Sequence, residues 1–135
     1  MAGRFNGKVV IVTGAASGIG EATARRFVTE ATKAALVDRN RALLEEVAKS
    51  LPADQVMVQA TDVSDSSAID EMVAAVVDRF GRLDVVVNNA GVHEGGAPAS
   101  ITDKKWRTVM STDVDGVFYG CRAALPTLKR PGARS

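Results

Sequence analysis

Lys8-Val9-Val10-Ile11-Val12-Thr13-Gly14-Ala15-Ala16-Ser17-Gly18-Ile19-Gly20 decides the fold of this chain. A run of β-branched residues breaks into glycines and then into a helical pattern, which is the form of a phosphate cradle. Gly14 lets the chain turn sharply off the strand, Gly18 lets backbone approach a pyrophosphate, and Gly20 lets the next helix lie tight on the sheet. The free N–H groups of that helix's first turn then face the anion. Glycine-rich turns also simply join strands to helices; the strand before and the helix after make this one specific.

Outward from this stretch, strand and helix patterns alternate with short joints, the arrangement of a parallel sheet covered by helices on both faces. The first strand is expected over Lys8–Thr13 and the first helix from about Gly18 to Glu30. A second strand follows at Ala34–Val37, then a helix N-capped by Asn40 with Leu43, Leu44 and Val47 on one face, and Pro52 past its end. The third strand is read at Gln55–Ala60. The third helix starts near Ser64 or Asp65, carries Ile69, Met72, Val73, Val76, Val77 and Phe80 at helical spacing, and stops at Gly81. Leu83–Val87 forms a fourth strand, almost wholly apolar as a strand covered on both faces should be, and Asn88-Asn89-Ala90-Gly91 closes it. Gly95–Ser100 reads as a loop, either a plain connector or a cover over a ligand. A last helix runs from Asp103 or Lys104 to Leu125, where Pro126 ends or bends it.

Composition bounds the answer. A chain of 135 residues predicts one domain with a sizeable core, and 46% hydrophobic with 24% charged residues describes a globular protein. No apolar run reaches the roughly 18 residues of a membrane span, and the N-terminus lacks a signal peptide's apolar stretch, so the expected location is cytoplasmic. A single cysteine excludes an internal disulfide and a cysteine-rich metal site. A net charge of +1 supports neither nucleic acid nor an acidic membrane as partner.

Asp38 ends the second strand at about the spacing of ~20 residues where a dinucleotide site needs an acid for the adenosine ribose. It would repel a 2′-phosphate, and no cation interrupts Ala15-Ala16-Ser17, so NAD is favoured over NADP, although Arg39 offers a guanidinium nearby. The plain alternative for Asp38 is a solvated turn residue. Asp62-Val63 follows the third strand at the same edge; Asp62 fits an acceptor for the adenine amino group and a helix cap equally well. Asn88-Asn89-Ala90-Gly91 puts amides and open backbone beside the cradle.

Thr13 to Gly20, Asp38, Asp62 and the Asn88-to-Gly91 tetrapeptide together resemble the N-terminal half of a short-chain dehydrogenase/reductase, over residues 5 to 130. The resemblance implies an α/β, Rossmann-type doubly wound parallel sheet, here about four strands in the order 3-2-1-4. It implies Gly14, Ser17, Gly18, Ile19 and Gly20 at the NAD pyrophosphate, Asp38 at the ribose, and Asp62 and Val63 at the adenine. Asn89, Ala90 and Gly91 would pass beneath the nicotinamide-side ribose, which Thr112 would also touch. The implied reaction is hydride transfer between NAD and an alcohol or ketone.

The family's catalytic Ser and Tyr-x-x-x-Lys have no counterpart among these residues: the only tyrosine, Tyr119, is followed four places on by Ala123. The family's Asn-x-x-Gly is matched by Asp113-Val114-Asp115-Gly116, where Asp113 reads as a helix carboxylate with no mechanistic part. Past Leu128 stands the polar tail 129–135 in place of an apolar strand. The expectation is therefore a single partial domain that binds NAD without turning over substrate. Alternatives are a non-catalytic nucleotide-binding or interaction module, or half of a two-chain enzyme. Its fourth strand becomes an apolar edge, which predicts a homo-oligomer through that edge and the last helix. His93 reads as a solvated loop residue, and Cys121 and Trp106 as packed side chains.

Overall fold

The computed structural model describes residues 4–92 and 96–128, so His93, the first residue of the Gly95–Ser100 loop and the tail 129–135 lie outside the described residues. The chain runs β1 (Val9–Thr13), α1 (Gly18–Thr29), β2 (Lys33–Asp38), α2 (Arg41–Lys49), β3 (Val56–Ala60), α3 (Ser66–Phe80) and β4 (Val85–Val87). A short 3-10 turn (Pro98–Ser100) leads into α4 (Asp103–Met110), a π turn (Ser111–Asp115) and α5 (Gly116–Leu128). The strands form one sheet in the order β3-β2-β1-β4, every pair parallel, as the sequence predicts.

Alternation along each strand sorts the core into two layers, because successive side chains leave opposite faces. Val9, Ile11, Ala35 and Val37 meet Ile69, Met72, Val73 and Val76 of α3 and Ala124 of α5. Val10, Val12, Ala34 and Leu36 meet Ala24 and Val28 of α1 and Leu44 and Val47 of α2. Burying each Val, Leu, Ile or Met among them stabilises the fold by about 1.5–3 kcal/mol.

The helix ends are set by local chemistry. Asn40 accepts from the Leu43 amide at 3.1 Å and starts α2. Asp65 accepts from Ser67 and Ala68 and starts α3, while Gly81, at φ +80°, closes it by donating to the Val77 carbonyl.

β4 is docked on β1 by Asp84. Its carboxylate accepts from the Val9 amide at 2.9 Å and takes the Arg82 guanidinium on both oxygens at 2.7 and 2.8 Å. Burial pushes its pKa up, but the Arg82 bonds, the Val9 amide and the nearby Lys8 charge outweigh burial and hold it below the usual carboxylate range.

Several expectations need correction. Leu43 is 47% exposed: the buried stripe of α2 runs through Leu44 and Val47, and Leu43 stands about 100° away from Leu44 around the helix. The last helix runs from Asp103 to Leu128 with a π turn at Ser111–Asp115 widening it locally, and Pro126 lies inside it rather than at its end. Pro126 removes only one hydrogen bond, in the last turn, where little helix remains to disrupt. Trp106 is exposed on α4, a helix with no buried residues, and Cys121 is exposed beside Asn88 because Gly120 and Ala124 occupy the buried stripe of α5. Val85–Val87 packs into both core layers, Val86 into one and Val85 and Val87 into the other, but is only half-buried, at the edge of the sheet. Among the described residues no helix is long and apolar enough to cross a membrane.

Candidate functional site

The strand order reverses between β1 and β4, and at such a point the loops leaving the two strands diverge to open a crevice at their carboxyl ends. The glycine loop fills one side of it. Gly14 has φ +68°, and a Cβ there would stand 2.8 Å from Asn89 Nδ2 and 3.0 Å from Ala90 Cα. A Cβ on Gly20 would collide with the Gly14 carbonyl, so both glycines are needed for the loop to fold back on itself. Gly18 differs: at φ +58° it has nothing within 4 Å of where a Cβ would be. Open space there, beside the first N–H groups of α1, suits an anion brought close to backbone. Ser17 precedes that helix, and its side chain makes no cap hydrogen bond.

Thr13 ties the two sides of the crevice together. Its buried Oγ1 accepts from the amides of Asn89 and Ala90, each at 2.9 Å, and donates to the Val87 carbonyl at 3.4 Å. Asn89 adds a bond from Nδ2 to the Gly14 carbonyl at 3.4 Å. The turn after β4 is thereby held against the glycine loop. Thr13 ends the expected first strand and opens the loop, with no role of its own expected there; a hydroxyl ending a buried strand is the signal that points to this tie.

Asp38 stands at the end of β2. Its two carboxylate oxygens accept from the Ala16 amide at 3.3 Å and the Asn40 amide at 3.2 Å, which orients the group and leaves each oxygen a further lone pair. A cavity of about 130 Å³ opens beside it. Gly14 lines it from the glycine loop, Asp38 and Arg39 from the end of β2, and Thr61 and Val63 from the segment after β3; Ala90, Gly91 and Val92 line it after β4, and Thr112 on the π turn. Of the expected residues, Gly14, Asp38, Val63, Ala90, Gly91 and Thr112 therefore converge. Arg39, noted in the sequence as a guanidinium near the site, joins them, and so do Thr61 and Val92, which were not expected.

Asp62 does not line this cavity. Its Oδ1 accepts from the Ser64 hydroxyl at 2.6 Å and the Ser64 amide at 2.9 Å, closing a turn, and the helix cap falls to Asp65. The Ser64 hydroxyl chiefly, with the Ser64 amide and the Arg39 charge, lowers the Asp62 pKa against the opposing effect of burial. Ile19, 78% exposed, faces a different and larger cleft of about 540 Å³, which Phe5, Phe27, Arg26 and Glu30 also line on the outer side of α1. That cleft is lined by α1, the residues just after it and the segment before β1, away from the strand ends; the smaller cavity is where carboxylate, hydroxyl and open backbone of the strand ends meet. Among the described residues no cluster of His, Cys, Asp or Glu could hold a metal ion.

Comparison with known proteins agrees with this geometry. The family model described as short chain dehydrogenase matches residues 8–134. Meso-2,3-butanediol dehydrogenase of Serratia marcescens is 42% identical over 125 residues, covering 93% of this chain and 50% of the relative. A 3-ketoacyl-(acyl-carrier-protein) reductase from Brucella melitensis, solved as a complex with NADH, superposes with a TM-score of 0.91 at 34% identity, covering 95% of this chain and 52% of that one. A short-chain dehydrogenase/reductase from Burkholderia phymatum in complex with NAD superposes with a TM-score of 0.89 at 32% identity, covering 93% and 45%. The chain thus spans about half the length of the relatives it matches. With its parallel 3-2-1-4 sheet, its glycine cradle and this match over nearly its whole length, the chain belongs to the short-chain dehydrogenase family.

Proposed function

We propose that this chain is the NAD-binding portion of a short-chain oxidoreductase whose whole reaction moves a hydride between NAD and an alcohol or ketone. The observation that carries the reading is Asp38, held by the Ala16 amide of the glycine loop, lining one cavity with Gly14, Ala90, Gly91 and Thr112. The residues fit the cofactor. Gly14, Ser17, Gly18, Ile19 and Gly20 would receive the pyrophosphate on backbone N–H groups, and Asp38 would accept from the adenosine ribose hydroxyls. Val63, with Asp62 behind it, would border the adenine. Asn89, Ala90, Gly91 and Thr112 would border the nicotinamide-side ribose. When bound, the cofactor supplies a carbon that accepts or releases hydride.

What these residues do themselves is bind and orient. Asp38, as a carboxylate, disfavours the extra phosphate of NADP, which makes NAD the preferred partner. Tyr-x-x-x-Lys does not occur in the sequence, so the 135 residues by themselves are read as binding without turnover. The same reading has the chain self-associate through the β4 edge and the exposed Val117, Phe118 and Leu125 of α5. That exposed face favours a second reading, in which a partner chain completes the sheet and the active site.

Titration with NADH and NADPH, followed by nucleotide fluorescence, tests the proposal. Saturable NADH binding, at least about tenfold tighter than NADPH and with that preference lost in Asp38→Ala, is the expected result. No saturation by NADH at millimolar concentration, or a preference for NADPH, would overturn it. Oxidation of a secondary alcohol by the purified chain would overturn binding without turnover.

A further inference from the structure

Asn6-Gly7 lies in the short segment that leads into β1, far from the strand ends that carry the cavity. The Lys8 amide donates to the Phe5 carbonyl at 2.9 Å and closes a four-residue β-turn. Gly7 takes its third position at φ +75°, the left-handed angle of a type II turn, and nothing stands within 4 Å of where a Cβ would be. Both central residues of the turn are exposed. The turn also places Phe5, whose ring meets Phe27 of α1 edge-on at 5.2 Å and whose carbonyl accepts from the buried Thr32 hydroxyl at 3.4 Å.

The chain's four asparagines differ in their surroundings. Asn40 accepts from the Leu43 amide, Asn88 donates to Cys121 Sγ, and Asn89 donates to the Gly14 carbonyl. Each of these three is followed by a residue with a side chain, Arg41, Asn89 or Ala90, which shields the next backbone nitrogen. Asn6 alone precedes a glycine, so the nitrogen beside its side-chain carbonyl is unshielded. That nitrogen donates to the Ala31 carbonyl at 3.3 Å, beyond the usual span of about 2.7–3.2 Å, so only a weak bond restrains it. Asp115-Gly116 offers a similar pairing, but there the glycine amide is engaged within the helix by the Ser111 carbonyl.

We propose that Asn6 is a site of spontaneous covalent modification, deamidation to aspartate and isoaspartate. The Gly7 nitrogen attacks the Asn6 side-chain carbonyl carbon; the new C–N bond closes a five-membered succinimide, and the side-chain nitrogen leaves as ammonia with the proton that Gly7 gives up. Water then opens the ring at either carbonyl, and nothing is oxidised or reduced. Both products add a negative charge between Arg4 and Lys8. Isoaspartate also routes the backbone through the side-chain carbon, one atom longer, which spreads the turn that the Lys8 amide closes and loosens Phe5 from Phe27.

The test incubates the full chain at mildly alkaline pH and maps its peptides by mass spectrometry, with Asn6→Gln and Gly7→Ala alongside. The peptide holding Asn6 should gain about one mass unit and become a substrate for an isoaspartate-specific methyltransferase, at least about tenfold faster than those holding Asn40, Asn88 and Asn89. Gly7→Ala should slow the gain at least about tenfold by shielding the nitrogen, and Asn6→Gln, which would need a six-membered ring, should slow it at least as far with the turn's glycine intact. In the isoaspartate form, separated by ion exchange, hydrogen exchange of the Lys8 amide by NMR should quicken at least about fivefold. No mass gain at Asn6, an equal rate at the other asparagines or in Gly7→Ala, or unchanged Lys8 exchange in the isoaspartate form would overturn the proposal.

Discussion

β1 and β4 are hydrogen-bonded neighbours of almost the same composition, with Val10, Ile11 and Val12 in register with Val85, Val86 and Val87. The first three are wholly shielded from solvent, while their partners are only half-buried. Both strands pack helices, but β1 also has a strand on each side, and β4 has one on β1 alone. Identical side chains thus carry different energies according to place in the sheet. The half of the molecule around β1 and β2 is buried on all sides beneath the glycine loop, whereas α5, beside β4, exposes Val117, Phe118 and Leu125.

The largest break in this comparison should come from Gly20→Val. A side chain would be driven against the Gly14 carbonyl, a backbone group that cannot swing aside, and we expect a loss of about 4 kcal/mol or more in denaturant unfolding. Next in size is a matched pair. Ile11→Ala should cost about 3.5 kcal/mol and Val86→Ala only about 1 kcal/mol, although the two residues are register partners. Equal losses would mean that β4 is covered in solution.

Asp84 joins the two halves and supplies a pH test. Its folded pKa lies below the value of about 3.9 expected in the unfolded chain, so its contribution is complete above that pH and is lost as pH falls through the folded pKa. Asp84→Asn should cost about 1.5 kcal/mol at pH 7, and the deficit should shrink as pH is lowered below about 4. A deficit that stays constant with pH would remove the carboxylate from the account. The smallest effect on stability belongs to Phe118→Asp, on the exposed face of α5, expected within about 0.5 kcal/mol of the parent. Its effect on association should be larger: in sedimentation the parent is expected to run as a dimer or higher species and the variant as a monomer. A monomeric parent would sink the self-association reading.

The fold was largely legible in the residues. The β-branched apolar run Val9–Thr13, the Asn40 cap and the glycine at 81 are local signals whose causes lie within a few residues. The candidate site was legible where strand ends carry its residues, as with Gly14, Asp38 and Ala90-Gly91. It was not legible where two distant segments meet through one atom: the Thr13 hydroxyl serving amides 76 and 77 residues away, or Asp113 reaching Val92. Asp62 shows the opposite case, since Ser64, two residues on, occupies one of its carboxylate oxygens.

By itself the sequence determined the alternation of strands and helices and the glycine cradle, because each follows from backbone preferences and side-chain periods that act over short range, and its motifs carried the resemblance to the family. Only the tertiary structure decided which apolar residues are shielded, why Leu43, Trp106 and Cys121 lie outside, and how the π turn brings Thr112 and Asp113 to the crevice. Burial and hydrogen-bond partnership depend on what the rest of the chain places opposite a residue, and no pattern around that residue specifies it.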